Sequence, residues 1–142
     1  MAGQPDPIRT NGGSVDLSTR FVRTGTVSAS PSAATITQIG SVSITSNVVI
    51  ASGVMLWGWA AFTAGTNGVS AKLDIRQTST TGSVIATTGL VTVTAASLYA
   101  LTVEGFDTAA TLPNQTYALC LTITSGSAAS TVSSLSLAAL VV

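Results

Sequence analysis

Apolar and polar residues alternate along most of the chain after Pro31, with the two-residue period that is typical of β-strands. The clearest example is the segment 69–76 (VSAKLDIR), in which the odd-numbered positions are apolar and the even-numbered positions are polar. We predict a strand with one face in the core and one face in solvent. On the solvent face, Lys72, Asp74 and Arg76 form either a charge ladder along the strand or pairs with a neighbouring strand or subunit.

Similar segments follow at near-regular spacing and are separated by Gly, Ser, Thr and Asn residues. The predicted strands are residues 83–94, 97–104, 115–124 and 131–141, the segment 42–50, and one strand near Thr26 or Thr35. No part of the sequence has a helical period for longer than a turn or two. These features predict an all-β fold, namely an antiparallel β-sandwich of the jelly-roll type.

The segment 54–62 is unusual because both of its faces are apolar. Met55, Trp57 and Trp59 point to one face, and the even-numbered residues point to the other. Since a strand of a two-layer sandwich needs only one buried face, a long loop, the amino-terminal segment or another copy of the chain must cover the second. We assign Trp57, Trp59 and Met55 to packing, either within a protomer or at an oligomer interface. The turn signal Asn67-Gly68 predicts a hairpin between this segment and the strand after it.

Charged residues make up only 7% of the 142 residues, and the net charge is zero. An average soluble domain has roughly 25% charged residues, so this surface repels its neighbours weakly and favours an oligomer or a larger assembly. The lack of a basic stripe argues against nucleic acid as a partner. The most apolar segment, 48–64, is interrupted by Ser52, Gly53 and Gly58, which favours buried strands over a membrane span.

The charges are unevenly distributed, which predicts a boundary near residue 23. Half of the ten charged residues lie in the first 23 positions, and none lies in the segment 24–71. We predict an extended N-terminal arm at 1–23 and a β-sandwich domain at 24–142. A frayed tail is the alternative interpretation of the first segment.

The sequence contains few candidate catalytic residues, since it has no histidine and only one cysteine, Cys120. We predict that Cys120 is a small buried side chain. Glu104 and Asp107 could form the carboxylate pair of a glycosidase. We predict instead that Glu104 ends a strand and that Asp107 is a structural turn residue, accepting hydrogen bonds from N–H groups just downstream. Without a nucleotide-binding, nucleophile or metal motif, we expect no enzyme activity, no catalytic residue, no cofactor and no metal site.

The carboxyl-terminal two thirds of the chain resembles a known family. The similar features are the loop Phe106-Asp107-Thr108, the alternating strand with Tyr117, Leu119, Leu121 and Ile123, the final strand with Leu135, Leu137 and Leu140, and the strand-turn-strand at 72–88. In these features the chain resembles small tumour-necrosis-factor-like jelly-roll modules of bacteriophage virion proteins, over about residues 41–142. The family usually has a proline after Asp-Thr and a glycine before the tyrosine strand. Ala109 and Pro113-Asn114-Gln115 stand there instead, so we expect a reshaped loop.

The resemblance implies a homotrimer packed around a threefold axis, used as a capsid decoration (cement) protein or as a tail or fibre module. We therefore expect a structural protein of the virion, located on the capsid surface, whose partners are its own copies and the major capsid protein of the same phage. We assign Arg9, Arg20 and Arg23 of the arm to capsid contacts. The alternative is a receptor-binding knob of a tail fibre, with loops near 77–82 and 106–115 contacting a cell-surface glycan.

Overall fold

The computed structural model describes residues 21–31, 35–45, 52–65, 69–110, 114–124 and 130–142. These segments contain strands and turns and no helix. The strands are β1 (Phe21–Thr24), β2 (Ile36–Ile44), β3 (Val54–Thr63), β4 (Val69–Gln77), β5 (Val84–Thr87), β6 (Val91–Val93), β7 (Leu98–Asp107), β8 (Gln115–Thr124) and β9 (Thr131–Val141). They form two antiparallel sheets packed against each other, which confirms the predicted all-β sandwich.

The two sheets are built from interleaved parts of the chain. Sheet A has the order β1-β9-β3-β7, and sheet B has the order β2-β8-β4, with β5 and β6 both paired to β4. The pairs are nested along the sequence, since β1 pairs with β9, β2 with β8, β3 with β7 and β4 with β5. The described chain is therefore a long antiparallel hairpin that is folded over into two layers.

The core lies between the sheets and consists of the inward-facing residues of the alternating strands. Its largest fully buried side chains are Tyr117, Phe62, Ile39, Ile44, Leu56, Leu73, Ile75, Leu119, Leu121, Ile123, Leu137 and Val54. Burial of one such side chain contributes about 1.5–3 kcal/mol, so the layers form a rigid support for the groups on their outer faces.

Gly58 allows the two sheets to approach closely at the centre of β3. A Cβ atom at this position would lie 2.7 Å from Leu119 Cδ1 and 3.2 Å from Val103 Cγ1. Real Cβ atoms do not pack this tightly, so a larger residue at this position would force the side chains of Leu119 and Val103 to shift. The glycine therefore fixes the spacing of the layers directly beneath Trp57 and Trp59.

Two predictions about connections are wrong. β7 does not end at Glu104, because it continues to Asp107, which pairs with Val54 of β3. β3 and β4 do not form a hairpin, because β3 pairs with β7 and β9 in sheet A whereas β4 lies in sheet B. Asn67-Gly68 itself lies outside the described residues. Asparagine-glycine predicts a turn, but the edges available on each strand decide which strands pair.

Other boundaries also shift. β2 runs over Ile36–Ile44 and not over 42–50, of which 46–50 lie outside the described residues. The predicted strand at 83–94 is divided into β5 and β6 around Gly89, which has a φ of +73°. β1 includes residues 21–23 of the predicted arm, and residues 1–20 are outside the described part.

Candidate protein-interaction surface

The side of sheet A that faces away from sheet B carries large apolar side chains. Phe21 is 43% exposed, Met55 39%, Trp59 39% and Phe106 45%, and Trp57 between them is half-buried. The inward-facing residues of β3 are buried, so this strand has the two apolar faces that its sequence predicts. We call this outer surface of sheet A the aromatic face.

The register of sheet A arranges the aromatic face in rows across the four strands. The first row contains Phe21, Leu140, Met55 and Phe106, from β1 to β7. This row is entirely apolar. Three of its four side chains come from strands other than β3, and the sequence analysis did not assign them to this surface. The alternation along β7 could have placed Phe106 there, because it is two residues from Glu104 and therefore on the same face.

The second row contains Arg23, Ala138, Trp57 and Glu104, in the same order. Arg23 and Glu104 are exposed, and they stand at opposite edges of the sheet. They are the only charged residues on this face within the described segments. Apolar residues thus occupy the centre of the row. The positive charge of Arg23 stands at one end and the negative charge of Glu104 at the other.

Two shallow depressions flank the indole of Trp57. One is lined by Trp57 and Trp59 together with Thr102, Ser136 and Ala138. The other is lined by Met55, Trp57, Glu104 and Phe106. Their linings are mainly apolar with a few polar groups, which suits side chains of a protein partner.

Sheet B has a different outer face, on which the one acidic residue of β4 pairs with the two basic residues of the same strand. Asp74 is fully buried, with Lys72 Nζ at 3.3 Å and Arg76 Nη2 at 3.0 Å from its Oδ2 atom. Arg76 Nη1 also donates to the carbonyl oxygen of Thr80 at 3.1 Å. The prediction of a solvated face is wrong at Asp74, because the two long basic side chains fold over it. The charge ladder along the strand is present.

Cys120 lies opposite Asp74 on β8 and is buried, as predicted. Burial raises the pKa of its thiol to about 11, although the nearby Arg76 acts in the opposite direction. The thiol is therefore protonated at neutral pH and is a poor nucleophile.

Glu104 and Asp107 lie on opposite faces of β7 and do not share a cleft. Asp107 points inward and is only 2% exposed. Its Oδ2 atom accepts hydrogen bonds from Gln77 Nε2 at 2.8 Å and from the Tyr117 hydroxyl at 2.9 Å. Its Oδ1 atom accepts one from the backbone N–H of Ala109 at 2.9 Å. Asp107 therefore connects the end of β7 to β4 and β8 of the other sheet.

The predicted capsid contacts of the arm stay predictions. Arg9 and Arg20 lie outside the described residues, as do positions 111–113 of the loop 106–115.

Among the described segments, no group of three or more side chains is arranged to hold a metal ion. The same segments contain no helix long and apolar enough to cross a membrane.

No protein-family model matches the sequence, and no curated protein is significantly similar to it. Function must therefore be inferred from the outer surfaces of the two sheets.

Proposed function

We propose that this chain is a structural protein of a bacteriophage particle, a capsid decoration protein that forms a homo-oligomer and binds the major capsid protein. The aromatic face is the observation that carries the proposal. Exposed tryptophan, phenylalanine and methionine side chains on one face are typical of surfaces that bind another protein. In a chain with 7% charged residues, little electrostatic repulsion opposes such contacts.

The occupant of the aromatic face is a second copy of the chain. Burial of apolar surface contributes about 25 cal/mol per Å², and a specific interface buries roughly 800 Å² on each partner. One fully apolar row and a second row that is apolar at its centre offer a continuous surface for such a contact. The resemblance to phage modules implies three copies, with their aromatic faces turned towards a common axis.

The strand order supports the finer fold assignment, which is a jelly roll. A jelly roll is an eight-stranded double sheet whose chain follows two Greek keys. The nested pairs β1–β9, β2–β8, β3–β7 and β4–β5 fit this path, with β6 continuing β5 along the same edge of β4.

The decoration itself is mechanical and uses neither a catalytic residue nor a cofactor. Many copies on one shell bind together, so a modest affinity of each subunit gives a stable coat. In this proposal the arm, with Arg9 and Arg20, contacts carboxylates or carbonyl oxygens of the shell. Arg23 belongs to β1 and lies on the exposed side of sheet A.

Particle fractionation tests the location. Cultures that produce the chain are lysed and separated on a density gradient, and the chain is detected with an antibody. We expect it to sediment with particles and to be labelled by immunogold over the capsid surface. Labelling of the tail tip would indicate the receptor-binding alternative. Recovery only in the soluble fraction would contradict both virion roles.

A truncation tests the role of the arm. Because β1 begins at Phe21, the deletion should remove residues 1–20 and leave sheet A complete. We expect the truncated protein to form the same oligomer but to lose its binding to purified shells. Full occupancy of the shells by the truncated protein would show that the arm is not needed.

A further inference from the structure

Within the described residues, the two charges of the aromatic face, Arg23 and Glu104, have no ionic partner in their own subunit. Arg23 and Glu104 belong to the same row, but β9 and β3 lie between their strands. Three strand spacings of about 4.8 Å place their backbones roughly 14 Å apart, with Ala138 and Trp57 between them. Among the described residues, the ion pairs are those of Asp74, and neither Arg23 nor Glu104 takes part in them.

A ring of subunits would bring these charges together. When the aromatic faces point towards a common axis and the strands run along it, the β1 edge of one subunit meets the β7 edge of the next. Residues of one row lie at one height along the axis, so Arg23 stands opposite Glu104 of the neighbour at every contact. Such head-to-tail contacts close into a ring when the rotation between neighbouring subunits completes a full turn.

We propose that neighbouring subunits are joined by an ion pair between Arg23 of one copy and Glu104 of the next. This inference rests on the proposed homo-oligomer and specifies the contact that closes it. The pair would lie beside Trp57, which excludes water and offers an aromatic surface to the guanidinium group. It would fix the register between copies, which apolar contacts alone leave loosely defined.

Charge reversal tests the pair. Arg23→Glu and Glu104→Arg each place like charges at every contact, and the double variant restores opposite charges. We expect each single variant to raise the dissociation constant of the oligomer by roughly tenfold or more, and the double variant to return near the wild-type value. Light scattering after size-exclusion chromatography over a dilution series measures this. Ser41→Glu is the control, because Ser41 is exposed on sheet B.

Mixing the two single variants tests the geometry further. A subunit carrying Arg23→Glu is acidic at both edges, and a subunit carrying Glu104→Arg is basic at both edges. They can alternate around a ring with opposite charges at every contact only when the number of subunits is even. Recovery of a two-component dimer or tetramer would therefore indicate an even ring. In a trimer, one contact always joins like charges, and assembly stays weak.

The outcomes separate the two proposals. A wild-type chain that stays monomeric over the whole dilution series would overturn the oligomer, and the ion pair with it. An oligomer that neither reversal weakens, or that the double variant fails to restore, would overturn the pair and leave the oligomer intact. If a reversal prevents folding, as judged by circular dichroism, Arg23→Gln and Glu104→Gln replace it. The wild-type oligomer should then weaken with added salt, and the neutral double variant should not.

Discussion

Replacing Tyr117 with phenylalanine should lower the free energy of unfolding by about 1.5–3 kcal/mol, the range for a hydrogen bond to a charged group. Tyr117 is fully buried, and its hydroxyl donates to the carboxylate of Asp107 at 2.9 Å. The variant keeps the ring in the core, so the loss reports the hydrogen bond and not a cavity. Removal of the carboxylate by Asp107→Ala should cost more, because the Tyr117 hydroxyl and the Gln77 amide then both lose their acceptor.

Tyr99 provides a matched control, because its ring is partly buried against the core while its hydroxyl makes an exposed hydrogen bond. Its hydroxyl accepts a hydrogen bond from the backbone N–H of Thr94 at 2.7 Å, where water can replace it. Tyr99→Phe should therefore destabilise the chain much less than Tyr117→Phe. Urea unfolding, followed by circular dichroism and by the fluorescence of Trp57 and Trp59, measures both variants. Protein concentration must be held constant, since association with other copies adds to apparent stability.

The pH dependence of the free energy of unfolding is a second test of the same hydrogen bond. Burial raises the pKa of Tyr117 above its ordinary value, and the hydrogen bond to Asp107 and its charge raise it further. Because folding favours the protonated phenol, this contribution is complete below about pH 10 and is lost as the pH rises above that value. The stability difference between wild type and Tyr117→Phe should shrink over the same range. Equal losses in the two phenylalanine variants would refute this account of the buried carboxylate.

Three further predictions concern the core and the outer face of sheet B. Gly58→Ala should destabilise the fold by about 1–3 kcal/mol through overpacking against Leu119, and a double-mutant cycle with Leu119→Ala should show coupling between the sites. Cys120 should resist iodoacetamide at about pH 8 in the native protein and react in denaturant; rapid native labelling would show that the thiol is accessible. Asp74→Asn should cost about 3 kcal/mol in urea unfolding, because two basic side chains lose their shared counter-ion; a neutral effect would show that solvent already screens them.

The sequence predicted the strand content and the facing of residues within a strand, because alternation is a local property. It correctly placed Trp57 and Trp59 on one face of β3 and the buried residues on the other. It could not predict which strands pair, since that depends on contacts between distant segments. The hairpin at Asn67-Gly68 was wrong for this reason. Asp107 illustrates the same limit, because one of its donors, Gln77, lies thirty residues away in the chain.

The two carboxylates of β7 have separate tasks that follow from the faces they occupy. Asp107 points inward and connects the end of this edge strand to sheet B. Gly105 lies close to β5, since a Cβ atom added at this position would be 2.7 Å from the Cβ atom of Ala86. The edge that carries Glu104 is thus held in place from within the subunit. Because Glu104 is exposed, its reversal should weaken association without lowering the stability of the isolated subunit. Replacement of Asp107 should instead lower the stability of the isolated subunit. Any loss of association should then follow from unfolding.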